Sequence, residues 1–129
     1  MKLSPEEDAY HYQPRHRDYY LAMTQKLRPA LTGPEQTQWL DELEADHDNL
    51  RQALAFCLED PEGATAGILM TSALCPFWQA RGYQAEGQER ITAALAHPGD
   101  DKNVTARAEG LKAAEVLASG QSGVSARSD

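Results

Sequence analysis

The sequence lacks the features of a membrane, secreted or disulfide-rich protein. Its hydrophobic residues are scattered, so no run of about 18 apolar residues is available to cross a bilayer. The start of the chain is acidic at residues 6–8, where a signal peptide would be apolar. Only two cysteines occur, Cys57 and Cys75, and they form no CxxC pair. These absences indicate a protein of the reducing cytoplasm.

Basic residues are also scarce. The chain of 129 residues has 12 Lys and Arg against 20 Asp and Glu, for a net charge of −8. This balance argues against a surface that neutralises nucleic-acid phosphates. The sequence has no Gly-rich phosphate-binding loop ending in Gly-Lys-Ser/Thr and no basic helix-turn-helix. We therefore expect no cofactor and no direct contact with nucleic acid. The length suits one domain.

Hydrophobic spacing predicts an all-α fold of about five helices. No segment alternates as a half-buried strand does. Proline and glycine mark the boundaries, because proline stops a helix and Pro-Gly pairs form turns. The predicted helices cover residues 14–28, 34–60, 64–81, 83–96 and 103–119. We expect residues 1–13 to be a loosely ordered lead, 14–119 the helical domain, and 120–129 a disordered tail.

The second predicted helix carries a seam of apolar residues at spacings of three and four, with one polar member, His47. Residues 46–49 (Asp-His-Asp-Asn) are poor helix formers and favour caps. We favour one long helix with a bend there, and two shorter helices are the alternative. The seam consists of Leu40, Leu43, His47, Leu50, Leu54 and Cys57.

The later helices resemble tetratricopeptide (TPR) repeats. Pro76 lies inside the third predicted helix and should kink it. The small residue Gly87 would let two helices approach, with Trp78 and Ile91 filling the gap before Pro98 ends the unit. This hairpin resembles one TPR unit, and the fifth helix resembles the first half of another. The inward face predicted for that helix is Leu111, Ala114, Leu117 and Ala118.

Three further stretches form a wider pattern over about residues 10–122. They are Arg15-His16-Arg17-Asp18-Tyr19-Tyr20-Leu21-Ala22, the run from Gly33 to Leu54, and Phe77-Trp78-Gln79-Ala80-Arg81-Gly82-Tyr83. This pattern is similar to the start of the helical-repeat region in bacterial STAND-class ATPase regulators, the AfsR/MalT-like and LuxR-type proteins. The resemblance implies part of a regulator's architecture, a signal-receiving array, and not the family's ATPase or DNA-binding activity.

Several residues fit both a specific functional role and an ordinary structural one. Glu44 and His47 share the Glu-x-x-His spacing of di-iron helical bundles, so a small metalloprotein is the alternative function, although a structural, hydrogen-bonded histidine is favoured. An acidic stretch over 35–48 is either a solvated face or a dock for a basic neighbour. The two cysteines fit small buried residues. Asn103 fits a helix N-cap.

We therefore predict a non-catalytic protein–protein interaction module whose helices three and five line a groove. Its predicted binding residues are Ser72, Gln79, Glu109 and Lys112. The partner would be a protein or neighbouring domains of a larger regulator. An uncovered apolar face of the last helix would also favour self-association. A truncated relic without function is a further alternative, and the chain is equally compatible with a fragment or a complete protein.

Overall fold

The described part of the chain is helical throughout its regular structure. A computed structural model describes residues 5–98 and 103–127, with side chains described at 13–98 and 103–119. Over these ranges the chain forms helices without strands, as the hydrophobic spacing predicted, and one turn of 3-10 helix at Ala30–Thr32. The α-helices are α1 (Pro5–Leu27), α2 (Gln36–Ala45), α3 (His47–Glu59), α4 (Ala64–Ala73), α5 (Cys75–Ala80), α6 (Gln84–Leu95) and α7 (Val104–Arg127).

The first helix is longer than predicted. It begins at Pro5 and not near Pro14, which lies inside it. Proline suits the first helical position, because its missing N–H has no partner there. Pro14 has no N–H to donate to the carbonyl of Tyr10, and the helix continues with that bond absent. It ends at Leu27, close to the predicted end.

The predicted single helix over 34–60 is two helices that meet at Asp46. The N–H of Asp46 is shared between the carbonyls of Glu42 and Leu43, at 3.1 Å each. Such sharing is common where a helix ends. The break falls in the stretch 46–49, whose side chains favour caps and turns over helix interiors. The single-helix prediction is wrong, whereas the burial of its seam is confirmed for Leu40, Leu43, His47, Leu50, Leu54 and Cys57.

The predicted third helix divides at Leu74 into α4 and α5. Pro76 has no N–H for the Ser72 carbonyl, so the helix cannot continue straight, and the predicted kink is confirmed. α4 has no charged residue and is buried around most of its circumference. It packs against α1, α3, α6 and α7. A helix that is apolar all round is stable only inside the core, and α4 occupies the centre of this fold.

A close contact between Gly87 and Trp78 joins α6 to α5. Trp78 is fully buried, and its indole N–H donates to the carbonyl of Thr71 at 3.2 Å. A Cβ added at Gly87 would lie 2.6 Å from Cγ of Trp78, which is too close for two carbons. The predicted role of Gly87 in letting these helices approach is confirmed. Gly82 makes the turn between them with φ 80°, a conformation that glycine adopts without strain.

The inward face of α7 is rotated from the predicted one. Leu117 is buried as expected, but Leu111 is 53% exposed. Gly110 faces α4 instead, because a Cβ there would lie 2.7 Å from Cγ2 of Ile68. Small residues on this face let α7 approach the central helix closely. The prediction is therefore wrong for Leu111, whereas Leu117 is buried and Ala114 packs against the core as expected. The buried residues of α7 over 104–119 are Ala106, Gly110, Ala113 and Leu117.

The start of α7 is capped as predicted. The side-chain carbonyl of Asn103 accepts a hydrogen bond from the backbone N–H of Ala106 at 2.9 Å. The helix runs to Arg127, past the predicted end at Ser119. The division into a lead, a domain and a tail stays a prediction, and residues 1–4 and 128–129 lie outside the described residues. Among the described helices, none combines the length and apolar character that a membrane span requires.

Candidate functional site

Two adjoining pockets beside α7 share Lys112 and Val116, and together, as one cleft, they are lined by the four predicted binding residues. Its inner half, of about 250 Å³, lies between the end of α1, α4, α5 and α7. Its outer half, of about 500 Å³, continues along α5 and α7, and Lys112 and Val116 line both halves. The inner half is lined by Arg28, Ser72, Cys75, Glu109, Lys112, Ala113 and Val116. The outer half is lined by Gln79, Lys112, Glu115, Val116 and Ser119.

An ion pair crosses the inner half of the cleft. Nη1 of Arg28 donates to Oε2 of Glu109 at 3.0 Å, and both side chains are partly exposed. The sequence analysis identified Glu109 but not Arg28, which follows α1 and is 81 positions away in sequence. Its only sequence signal is a cation at the end of a helix next to Pro29. Such a pair at a surface holds two helices in place more than it stabilises the fold.

Ser72 carries the least satisfied polar atom of the cleft. Its side chain is 95% buried, being 5% exposed, and its Oγ has no hydrogen-bond partner among the described residues. The neighbouring hydroxyl of Thr71 donates to the carbonyl of Gly67 at 2.7 Å, the usual arrangement for a hydroxyl in a helix. Buried polar atoms without a partner are uncommon in folded proteins. Ser72 lines the inner end of the cleft, but its oxygen is enclosed by the fold and is not open to the cleft.

Neither cysteine is poised to act as a nucleophile. Burial raises the pKa of the Cys75 thiol, and the charge of Arg28 opposes this rise. Burial likewise raises the pKa of Cys57 to about 11. A thiol with a raised pKa is protonated at neutral pH, whereas the thiolate is the reactive form. Cys57 is buried as predicted, and Cys75 is half-buried in the wall of the cleft.

His47 lies in a cluster of aromatic and charged side chains away from the cleft. Its ring centroid is 4.3 Å from that of Tyr83 and 5.3 Å from that of Phe77. Its Nε2 lies 3.3 Å from Oε2 of Glu86, which also accepts from Nε of Arg51 at 3.0 Å. The structural, hydrogen-bonded role favoured for His47 is confirmed. The cluster joins α3 to α5 and α6.

Glu44 and His47 have different hydrogen-bond partners. Glu44 accepts a hydrogen bond from the hydroxyl of Tyr83, whereas His47 pairs with Glu86. Among the described residues, no group of three or more His, Cys, Asp or Glu side chains is placed to hold a metal ion. A di-iron site of the type that the Glu-x-x-His spacing suggested needs such a group. No feature of the described geometry favours the metalloprotein alternative.

The acidic stretch over 35–48 is partly neutralised by arginines from later in the sequence. Asp41 accepts from Arg81 at 2.6 Å, and Asp48 accepts from Arg51 at 3.1 Å. These contacts agree with a solvated face that pairs with its own chain. The alternative role, a dock for a basic neighbour, stays a prediction. The residues concerned are Glu35, Asp41, Glu42, Glu44, Asp46 and Asp48.

The Glu86 contacts predict a loss of stability in acid. Burial raises the pKa of Glu86, but the hydrogen bond from Arg51 and the charges of His47 and Arg51 outweigh it and lower that pKa below 4.5. The ionised carboxylate therefore stabilises the folded state above pH 4.5, its ordinary value, and this stabilisation is lost as the pH falls through the lowered value. We expect the melting temperature to fall in that range, and to fall less steeply for Glu86→Gln.

Thermal melts followed by circular dichroism between neutral pH and pH 3 measure this difference. Glu86→Gln should melt lower than the wild type at neutral pH, because the bidentate contact with Arg51 is weakened. Glu42→Gln is the matched control, since Glu42 is exposed and lies outside this cluster. If the melting temperatures of Glu86→Gln and the wild type fell equally as the pH was lowered, the stabilising role of the ionised Glu86 carboxylate would be contradicted.

Comparison with known proteins identified no relative of this chain. No protein-family model, curated protein or solved structure matches the chain. The function must therefore be argued from the chain's own geometry. The cleft beside α7 is lined by both charged and apolar side chains, as binding sites commonly are.

Proposed function

We propose that this protein is a non-catalytic, TPR-like helical-repeat module that binds a protein segment in the cleft between α4–α5 and α7. The observation that supports this most is the convergence of Ser72, Gln79, Glu109 and Lys112 along one cleft, although they come from three helices. Lining residues of α7 extend from Glu109 to Ser119, about three helical turns, which suits an extended or helical segment of another protein better than a small enclosed ligand.

The chemistry of the cleft supports a binding role and not a catalytic one. A nucleophilic serine needs a base within hydrogen-bond distance, and Oγ of Ser72 has no such partner among the described residues. The thiol of Cys75 has a raised pKa and is protonated at neutral pH. The carboxylate of Glu109 is ion-paired with Arg28. No described side chain of this cleft is activated for reaction, and all of them suit recognition.

The resemblance of the chain to STAND-class regulators suggests how such binding would be used. In that architecture a helical array receives a partner or signal in the cytoplasm and restrains an ATPase core. A cleft that holds its partner more tightly in one conformational state than in another transmits the signal by that difference in binding free energy. The partner is then either a separate protein or a neighbouring domain of the same regulator.

The proposal predicts that reversing two cleft charges weakens partner binding. We expect the double variant Glu109→Lys, Lys112→Glu to bind at least about tenfold more weakly, equivalent to about 1.4 kcal/mol. The first change replaces the attraction to Arg28 by a repulsion, and the second reverses the charge at position 112. A random peptide library displayed on phage supplies ligands for the wild-type chain, and fluorescence anisotropy measures their affinity. Circular dichroism should show unchanged helicity.

The control keeps the same total charge. Lys26→Glu with Glu89→Lys exchanges one cation and one anion at exposed positions that do not line the cleft. Peptide affinity should survive this exchange. Equal affinities for the cleft variant and the control would reject the cleft as the binding surface.

A further inference from the structure

We propose that α7 pairs with α7 of a second copy of this chain, antiparallel and related by a two-fold axis, with Lys112 of each copy against Glu115 of the other. This inference goes beyond the proposed function, because it concerns contact between two copies and not the binding of a partner segment. It follows from three properties of the exposed side of α7: its apolar side chains, its balance of charge and the spacing of its charged residues.

The exposed side of α7 carries an unusual share of the apolar surface. Three of the five large hydrophobic side chains that are exposed in the described part of the chain lie on this helix. Val104 is 78% exposed, Leu111 53% and Val116 37%. The buried side of α7 packs against α4, α5 and α6. Single apolar residues are ordinary at a protein surface, whereas several along one helix are typical of a surface that another molecule covers.

The charge of α7 allows a second copy to approach. The chain has a net charge of −8, so two copies repel each other unless they meet at a locally neutral surface. Over residues 104–119, α7 carries the two cations Arg107 and Lys112 and the two anions Glu109 and Glu115. The acidic stretch over 35–48, by contrast, has six carboxylates and no Lys or Arg, and would repel its own copy.

The spacing of Lys112 and Glu115 matches a two-fold contact. Such a contact joins the same surface of both copies, so each cation on it must meet an anion on it. When the axis crosses α7 between Ala113 and Ala114, position 112 of one copy lies level with position 115 of the other. Neither Lys112 nor Glu115 forms an ion pair with another described residue of its own chain. The contact therefore gains two ion pairs without breaking one within either copy.

The residues around these ion pairs suit close packing of two helices. Ala108 and Ser119 are equally far from the same axis, and both are exposed. Their small side chains let the two helices approach closely. Leu111 of one copy lies level with Val116 of the other, on opposite flanks of the ion pair. Apolar side chains there exclude water, which strengthens the attraction between the charges.

The length of α7 favours an extended contact. The helix has 24 residues, which span about 36 Å. The proposed axis lies about two residues from its middle, so most of the two helices overlap. The second copy would also cover the outer half of the cleft, which Lys112, Glu115, Val116 and Ser119 line. A second copy and a partner segment would therefore compete for that surface.

Reversal of single charges tests this register. Sedimentation equilibrium of the wild-type chain should show dimers of about twice the chain mass of 14.2 kDa. Lys112→Glu and Glu115→Lys should each raise the dimer dissociation constant at least about tenfold, because each change places like charges together in both ion pairs. An equimolar mixture of the two variants should dimerise again, because each copy then offers charges opposite to those of the other. Both positions are exposed, so circular dichroism should show unchanged helicity.

Lys26→Glu and Glu89→Lys are the matched controls, because they make the same changes of charge at exposed positions outside α7. Each should dimerise as the wild type does. A wild-type chain that stays monomeric up to about 1 mM would overturn the inference and leave this face to a segment of another protein. Dimers that survive either α7 variant, that the controls weaken equally, or that the mixture does not restore would also overturn it, because the contact would then use another surface or register.

Discussion

Replacing Trp78 by alanine is expected to lower the free energy of unfolding by about 3–5 kcal/mol. The side chain is fully buried, lies over Gly87, and packs against Phe77 with ring centroids 5.4 Å apart. Alanine would leave a large cavity and would also remove the donor to the Thr71 carbonyl. A domain of this size has a total stability of about 5–15 kcal/mol, so this loss is a large fraction of the total.

Urea denaturation followed by circular dichroism measures this loss, and the second tryptophan supplies the control. Trp39 is only partly buried at the edge of the core, so Trp39→Ala should cost about 1 kcal/mol. Because both variants replace tryptophan by alanine, the difference between their losses of stability measures how deeply each side chain is buried. Equal losses for both would contradict the placement of Trp78 at the junction of α5 and α6.

Replacing Gly63 by alanine should destabilise the protein by about 3 kcal/mol, the upper end of the usual cost of overpacking. A Cβ at Gly63 would lie 2.2 Å from the carbonyl oxygen of Cys57 and 2.8 Å from its Cα. These are backbone atoms of α3, so no side chain can rotate away to make room. The start of α4 would have to move away from α3, which would disturb the central helix.

Gly33→Ala is the control for this substitution. A Cβ at Gly33 would lie 3.6 Å from the carbonyl oxygen of Pro29 and 3.8 Å from that of Ala30, which are ordinary contacts, and its φ of −104° is open to alanine. We expect a change of at most about 1 kcal/mol, and in the stabilising direction, because alanine restricts the unfolded chain. Similar urea midpoints for the two alanine variants would show that the close approach at Gly63 is relieved at little cost.

Much of the fold was predictable because a helix with one buried face has apolar residues at regular spacings in its sequence. The seam from Leu40 to Cys57 is buried as its spacing indicated. The kink at Pro76 and the cap at Asn103 followed from the missing N–H of proline and the short side chain of asparagine. In each case the cause lies within a few residues of its effect. Local chemistry alone was therefore sufficient.

Two predictions about helices failed where competing local signals were close in strength. The stretch 46–49 favoured a cap, whereas the seam around it favoured continuity, and the structure follows the cap. On α7, leucine spacing indicated Leu111 as an inward residue, but the helix presents Gly110 to Ile68 and leaves Leu111 exposed. Small residues carry little hydrophobic signal, and their value lies in the close approach that they permit to a neighbouring helix.

The sequence by itself determined the all-α class, the main boundaries set by proline and glycine, and the residues of the longest buried seam. It also indicated that Ser72, Gln79, Glu109 and Lys112 lie on facing helices. Only the tertiary structure brought Arg28 to Glu109 and left the Ser72 hydroxyl without a partner in the described part of the chain. The physical reason is distance along the chain. Hydrogen bonds of a helix join residues four positions apart, whereas the contact between Arg28 and Glu109 joins residues 81 positions apart, whose meeting depends on how whole helices pack.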